Sequence, residues 1–255
     1  MNIYERVKAN NQEVKSVEDF LNMPVKKTKI YNYNSNERYQ DATIILGNPN
    51  GIINCNESPH KFAHTIFMNG QDRDWNSRQV NLSNDASKYN TLSPEKKRMF
   101  NLVLAQLITN DSVQTTQLGI GIMEYITSPV VILALGRQLY EEGVHSESYT
   151  RMAEDVCKNT EEIYSLHTKD ANLARKNRAV ADMYLKLYPE VTNKETTVLD
   201  VIMAMVANQI LEELVFPGGF VAMYHLSDEL SGCGEMIREI NGVGSLHTEM
   251  YASVA

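Results

Sequence analysis

Three times in this chain a Ser-Pro pair opens a segment whose apolar residues recur every three or four positions. Ser58-Pro59 precedes "HKFAHTIFMNG", Ser93-Pro94 precedes "EKKRMFNLVLAQLITNDSVQTTQLGIGIM", and Ser128-Pro129 precedes "VVILALGRQLYEEGVHSESYTRMAEDV". A serine side chain can cap the free N–H groups of a helix start, and proline suits the first helical position, where no N–H is needed. The pattern therefore predicts helices that begin at these pairs. Further on, "TEEIYSLHTKDANLARKNRAVADMYLKLYP" predicts one helix after a short lead, and "TTVLDVIMAMVANQILEELVFPGGFVAMYHLSDEL" another. Within the latter, Pro217 removes a backbone donor and crowds the preceding turn, so a kink or local widening is expected. "GEMIREI" and "SLHTEMY" close the chain on either side of "NGVG". Two glycines in three residues, each costing roughly 1 kcal/mol relative to alanine, predict a helix end or a loosened turn there.

Strand signals are almost missing, and several of these helices are apolar nearly all round, so they must lie centrally. The expected architecture is an all-α helical bundle over residues 57–255. Residues 1–56, with "YNYNSNERYQD" and "LGNPNGIINCN", are full of turn formers and read as an irregular N-terminal arm wrapping that bundle.

With 255 residues, 43% of them hydrophobic, the chain can bury one sizeable core. A formal charge of -8 and no clustered basic stretch argue against nucleic acid as a partner. The three cysteines, Cys55, Cys157 and Cys233, form no CxxC pair and suggest neither a disulfide framework nor zinc. A cytoplasmic setting is expected, with no membrane segment, because no apolar run approaches the ~18 residues of a span and the N-terminus is too polar for a signal peptide.

Polar residues on apolar helices are the informative exceptions. Asp111 lies deep in the Ser93-Pro94 segment. Glu142, His145 and Tyr149 follow at i, i+3 and i+7 in the Ser128-Pro129 segment and share a face. Glu212 sits in "MAMVANQILEELVF", and His247 lies beyond the glycines. Helical bundles build dinuclear iron or manganese sites from one carboxylate on one helix and a Glu-x-x-His on the next, with a second such half opposite. Oxygen-rich ligands with one imidazole per metal suit these ions. Spacing alone is only suggestive, and it favours satisfied buried pairs or exposed helix faces over a metal site.

The same segments resemble the small, radical-generating subunit of class I ribonucleotide reductases. The likeness is carried by "DWNSRQVNLSNDASKYNTLSPEKKRMF", "FNLVLAQLITNDSVQTTQL", "ITSPVVILALGRQLYEEGVHSESYTRM", "NPNGIIN" and "NQILEELVFPGGFVAMYHL", in order, from about residue 28 to 251. It implies a ferritin-like bundle, a homodimer, and a large catalytic subunit as partner in reducing ribonucleotides to deoxyribonucleotides. Position by position, it implies that Asp111, Glu142 and His145 hold one metal and that Glu212 and His247 belong to the other. Two iron ions or a manganese/iron pair per chain are then expected. It places Tyr149 as the radical-bearing tyrosine, Trp75 as the electron-transferring tryptophan, and Phe216, Phe220 and Ile240 around the oxygen-reaction pocket. By itself Tyr149 reads as a core tyrosine and Trp75 as a packing residue. His60 and His64 match no ligand of the family and read as surface or packing groups; Cys233 reads as part of a turn.

The pattern breaks in "NGVGSLH". Val243 stands where the family has an aspartate that hydrogen-bonds a ligand histidine and the tryptophan, and Gly244 stands where it has the bridging glutamate. Glu141 and Glu213 adjoin proposed ligands but are expected to point elsewhere, since neighbouring helix residues diverge by about 100°. No nearby carboxylate is expected to compensate, so one metal position should be weak or empty. Ala255 falls before the family's last helices and its flexible tail, and the resemblance implies that this tail binds the large subunit, so a second polypeptide supplying that part is one expectation. The other readings are a catalytically silent homologue serving assembly or regulation and a metal-dependent oxidase on the same scaffold.

Overall fold

Where serine and proline open a segment, helices do begin, with one exception. The computed structural model describes residues 3–254. Helices α1 (Ile3–Asn10) and α2 (Val17–Leu21) lie in the arm, so it is not wholly irregular, and α3 (Lys61–Asp72) and α4 (Asp85–Thr91) precede the long elements. Ser93 caps α5 (Pro94–Ile120), accepting from the Lys96 N–H at 3.3 Å, and Ser128 caps α6 (Pro129–Arg151), accepting from the Val131 N–H at 3.4 Å. At the first pair the expectation is corrected: α3 starts two residues later, with His60 at its N-cap. There Ser58 accepts from the His60 N–H at 3.1 Å, and His60 Nδ1 is held 2.8 Å from Ser128 Oγ, which fixes this residue outside the helix.

The predicted single helix after Asn159 is two, α7 (Thr160–Lys169) and α8 (Ala171–Leu185). Asp170 breaks it. Its backbone is extended, and its carboxylate accepts from the N–H groups of Asn172 and Leu173 at 3.1 Å each, so capping outweighs the continuous apolar period. After the short α9 (Pro189–Thr192), α10 (Val198–Ile210) passes through a π-helical turn, Leu211–Val215, into α11 (Phe216–Tyr224). The widening expected from Pro217 thus falls just ahead of it, where the proline has no N–H to return to the Glu213 carbonyl.

Helix α12 (Ser231–Val254) runs unbroken through Gly242 and Gly244. Its buried face, including Met236, Ile240, Val243, His247 and Met250, keeps helical spacing against the core, and this packing outweighs the two glycine penalties. Cys233 is in the first turn of this helix rather than in a loop turn. Asp85 of α4 accepts from the Gly232 N–H at 3.2 Å and the Cys233 N–H at 2.6 Å, a buried anion at the positive end of α12.

Helices α5, α6, α10–α11 and α12 form the inner bundle; α3 lies across α6 and α12, and α7 and α8 cover α5. The arm is tied on through backbone bonds, Val25 N–H to the Thr196 carbonyl at 2.8 Å and Thr127 N–H to the Ile44 carbonyl at 2.7 Å. Among the described residues there is no strand, only an isolated bridge between Pro24 and Thr197.

Candidate metal centre

Each inner helix contributes polar side chains to one buried cluster. α5 supplies Asp111 and Gln114, α6 supplies Gln138, Glu141, Glu142 and His145, the π turn supplies Glu212, and α12 supplies His247. Asp111 and Glu142 are each 1% exposed, where an unpaired charge is strongly unfavourable. Compensation comes from neighbours. His145 Nδ1 lies 3.2 Å from Glu142 Oε2 and 3.8 Å from Asp111 Oδ2. His247 Nδ1 lies 3.3 Å from both Glu142 Oε1 and Glu212 Oε1.

Two overlapping groups emerge, Asp111–Glu142–His145 and Glu142–Glu212–His247, each with one ligand-type atom per residue lying within 4.8 Å of the others. Glu142 is common to both. Two amides complete the centre: Gln114 Nε2 donates to Glu212 Oε1 at 2.7 Å and Glu142 Oε1 at 3.3 Å, and Gln138 Nε2 donates to the same two oxygens at 2.9 and 3.1 Å. Gln138 is oriented by Tyr251, whose hydroxyl donates to Gln138 Oε1 at 3.1 Å, and the Tyr251 oxygen accepts from Asn208 Nδ2 at 2.5 Å. Asn208 Oδ1 accepts in turn from the Tyr184 hydroxyl.

Several buried atoms are left without hydrogen-bond partners among the described residues: both Asp111 oxygens, His145 Nε2, His247 Nδ1 and the Tyr149 hydroxyl. Burial, then the charges of Glu142 and Glu212, holds the Asp111 carboxyl well above its usual range. Burial, opposed by His247 and reinforced by Glu142, pushes Glu212 up to about 7. For Glu142 burial acts upward too, but His247 and His145 outweigh it and bring the group down. His247 is pushed down by burial and up, decisively, by Glu212 and Glu142. The Tyr149 phenol is held well above its usual value by burial and the negative charge of Asp111.

A cavity of about 250 Å³ opens beside these groups. Asp111, Glu142, His145, Tyr149 and Glu212 line it together with Phe216, Phe220, Ile240 and Gly244. The Phe216 and Phe220 rings stack with centroids 6.3 Å apart. Val243 is buried in the core, and Trp75 is buried in the connection after α3; neither lines the cavity. Glu213 is exposed and accepts from Gln209 at 2.8 Å.

Glu141 corrects the sequence reading. It is 4% exposed, and its Oε2 lies 2.7 Å from His247 Nε2, so a carboxylate does reach the histidine next to the altered motif. The 100° divergence from Glu142 is real, but α6 meets both the cavity and α12, and the two glutamates occupy these adjoining faces. Gln114 and Gln138 are absent from the sequence reading, although their place one turn from Asp111 and Glu142 on apolar helices is a local signal for them. Glu141 has no such signal, because its partner is 106 positions away in the chain.

Known proteins share this arrangement of helices. Ribonucleoside-diphosphate reductase subunit beta of Treponema pallidum is 27% identical over 215 residues, 83% of this chain, which spans 60% of that protein's length. The ribonucleotide reductase R2 subunit from Clostridium botulinum superposes with a TM-score of 0.81 at 24% identity, over 90% of this chain and 71% of the other. The dimanganese(II)-NrdF of Streptococcus sanguinis superposes with a TM-score of 0.65 at 20% identity, over 77% and 66%. These likenesses show the ferritin-like bundle. The family model described as "Ribonucleotide reductase, small chain" matches residues 52–255, the stretch that contains all four inner helices, and the chain belongs to that family.

Proposed function

We propose that this chain acts as a small subunit of class I ribonucleotide reductase, holding a metal pair next to a radical-bearing Tyr149. The observation that carries the reading is the pair of buried ligand groups sharing Glu142, with Asp111 and His247 Nδ1 left unpartnered beside the Tyr149 cavity. Carboxylate oxygens and one imidazole nitrogen per group fit iron or manganese. Asp111, Glu142 and His145 would hold one ion, and Glu142, Glu212 and His247 the other. When bound, such a pair supplies one-electron oxidation of a nearby tyrosine at the expense of dioxygen.

The residues around it have separable tasks. Tyr149 keeps its phenolic proton at neutral pH, and it shares the lining of one cavity with Asp111. Phe216, Phe220 and Ile240 limit water around the phenol, and Trp75 is assigned the role of electron donor. The Gln114 and Gln138 amides steady Glu142 and Glu212 in the orientation seen. A large catalytic subunit as partner, a homodimer and a cytoplasmic setting complete the proposal. Among the described residues no helix is long and apolar enough to cross a membrane.

One observation favours a second reading, a silent homologue. Position 244 offers no carboxylate, and the two amides already satisfy Glu142 and Glu212 without metal. Anaerobic loading with Fe(II) or Mn(II), exposure to air, metal counting and electron paramagnetic resonance decide between the two. Two ions per chain and a tyrosyl signal are expected. A chain that takes up no metal is the silent homologue.

A further inference from the structure

We propose that Glu141 is the positioning residue for His247, holding the imidazole with Nε2 outward and Nδ1 turned into the Glu142–Glu212–His247 group. It thereby supports metal binding on the side of the site that lacks a carboxylate at position 244. The inference rests on the metal-binding reading above.

His247 has two nitrogens with different surroundings. Nε2 lies 2.7 Å from Glu141 Oε2, while Nδ1 has no hydrogen-bond partner and lies 3.3 Å from an oxygen of each carboxylate in its group. An imidazole whose one nitrogen donates to a carboxylate presents the lone pair of the other, and its basicity as a ligand rises. Glu141 is itself fixed from behind. Arg137 Nε donates to Glu141 Oε1 at 2.5 Å, and Arg137 Nη2 donates to Asp74 Oδ1 at 2.6 Å and to the Gly70 carbonyl at 2.8 Å. One oxygen of Glu141 therefore serves the arginine and the other serves the histidine.

The pair occupies space that helix α3 leaves free. A Cβ at Gly70 would come 2.8 Å from Glu141 Oε1 and 2.9 Å from Arg137 Nε, so a larger residue there would push the ends of these two side chains aside. His145 offers the internal contrast, because its Nε2 has no hydrogen-bond partner among the described residues. The outer support of the site sits on the α12 histidine and is supplied by α6 and α3, not by α12 itself.

The test uses Mn(II) as probe and follows free Mn(II) by electron paramagnetic resonance in two backgrounds of the full chain. His145→Ala leaves Glu142–Glu212–His247 intact, and His247→Ala leaves Asp111–Glu142–His145. Glu141→Gln keeps the size of the side chain and removes its charge. In the His145→Ala background it is expected to weaken Mn(II) binding by about 10- to 100-fold, and in the His247→Ala background by less than about twofold. Gly70→Ala, which displaces the Glu141–Arg137 pair while keeping every ligand and charge, is expected to show the same selectivity with a smaller loss. Circular dichroism melts of the metal-free variants check the fold. Equal losses in both backgrounds, as a merely structural ion pair gives, or no loss in the first, overturn the inference and leave the proposed function standing. Failure of the unmodified chain to take up Mn(II) overturns both.

Discussion

The two sides of the buried centre are built on opposite plans. On the α5–α6 side Asp111, Glu142 and His145 form a full group, yet His145 Nε2 has no hydrogen-bond partner among the described residues. On the other side Val243 and Gly244 stand where the resemblance expects carboxylates, yet His247 is the better anchored histidine, tied through Glu141 to Arg137 and Asp74. Ligand count and ligand orientation are thus separate properties. The first is set by the residue types that each inner helix carries at its buried positions, the second by contacts that fix a side chain from a neighbouring helix.

The largest effect should come from the residue that both sides use. A carboxylate about 4 Å from a charge is worth about 4 kcal/mol at an effective dielectric near 20, roughly a 1000-fold change in binding. Glu142→Ala is therefore expected to abolish Mn(II) uptake by both groups at concentrations that saturate the unmodified chain. His145→Ala and His247→Ala should each retain one ion. If Glu142→Ala still holds an ion at unchanged affinity, the two groups do not share a ligand and the comparison fails.

Gly244→Glu sharpens the comparison by making the sides alike. Gly244 lines the cavity with Asp111, Glu142 and Glu212, and a Cβ added there meets nothing within 4 Å, so a longer side chain can enter. The added charge is expected to tighten binding at Glu142–Glu212–His247 by about tenfold or more, less than the buried-pair limit because the position is half-buried. Helix propensity changes in the same direction, by ~0.5–1 kcal/mol. A two-site Mn(II) titration reads the affinity. No tightening would mean that position 244 does not face the ions.

The contrast also explains what could be read from sequence. The long helices α5 and α6 were legible because Ser93-Pro94 and Ser128-Pro129 are local signals, read within one turn. Asp111, Glu142, His145, Glu212 and His247 stood out as polar residues at helical spacing on apolar helices, and the structure brings them together. The break at Asp170 was missed because apolar periodicity continued through it while an equally local capping preference acted against it. The continuity of α12 across Gly242 and Gly244 was not legible, since it depends on the packing of a whole helix face. Glu141 was assigned the wrong direction for the same reason: its partner lies on another helix, and only docking decides which flank of α6 faces it.

A smaller effect concerns pH in the metal-free chain. Unfolded carboxyls lose their protons near pH 4, but burial keeps Asp111 protonated well above that range and Glu212 protonated up to about 7. His247 also keeps its proton above the ordinary histidine value, so its stabilising charge is present at low pH and lost as pH rises through its folded value. Between about pH 5 and 8 the native chain binds more protons than the unfolded one, and stability falls as pH rises. Glu142 runs the other way, but its window lies below the ordinary carboxyl range, where falling pH removes its charge. The metal-free Tm is therefore expected to decrease from pH 5 to 8. Saturating Mn(II) should offset the decrease, because ions compete with protons for these ligands. A metal-free Tm that rises across this window would show that Glu212 and His247 are not charged as described.

The smallest effect separates glycines within α12. Gly242 is exposed, its added Cβ would meet nothing within 4 Å, and its carbonyl accepts from Arg73 Nη1 at 2.8 Å, a bond that alanine preserves. Gly242→Ala is expected to stabilise the chain by about 1 kcal/mol and raise the Tm by roughly 2–4 °C, with Mn(II) affinity unchanged. Gly232 in the same helix is different, because a Cβ there would come 2.4 Å from the Asn81 carbonyl oxygen and 3.1 Å from the Asp85 carboxylate that caps the helix. Gly232→Ala should lower the Tm, since that backbone contact cannot yield as a side-chain tip could. If both variants behave alike, the helix responds to propensity alone, and the close packing of its first turn against the Asn81 carbonyl does not hold.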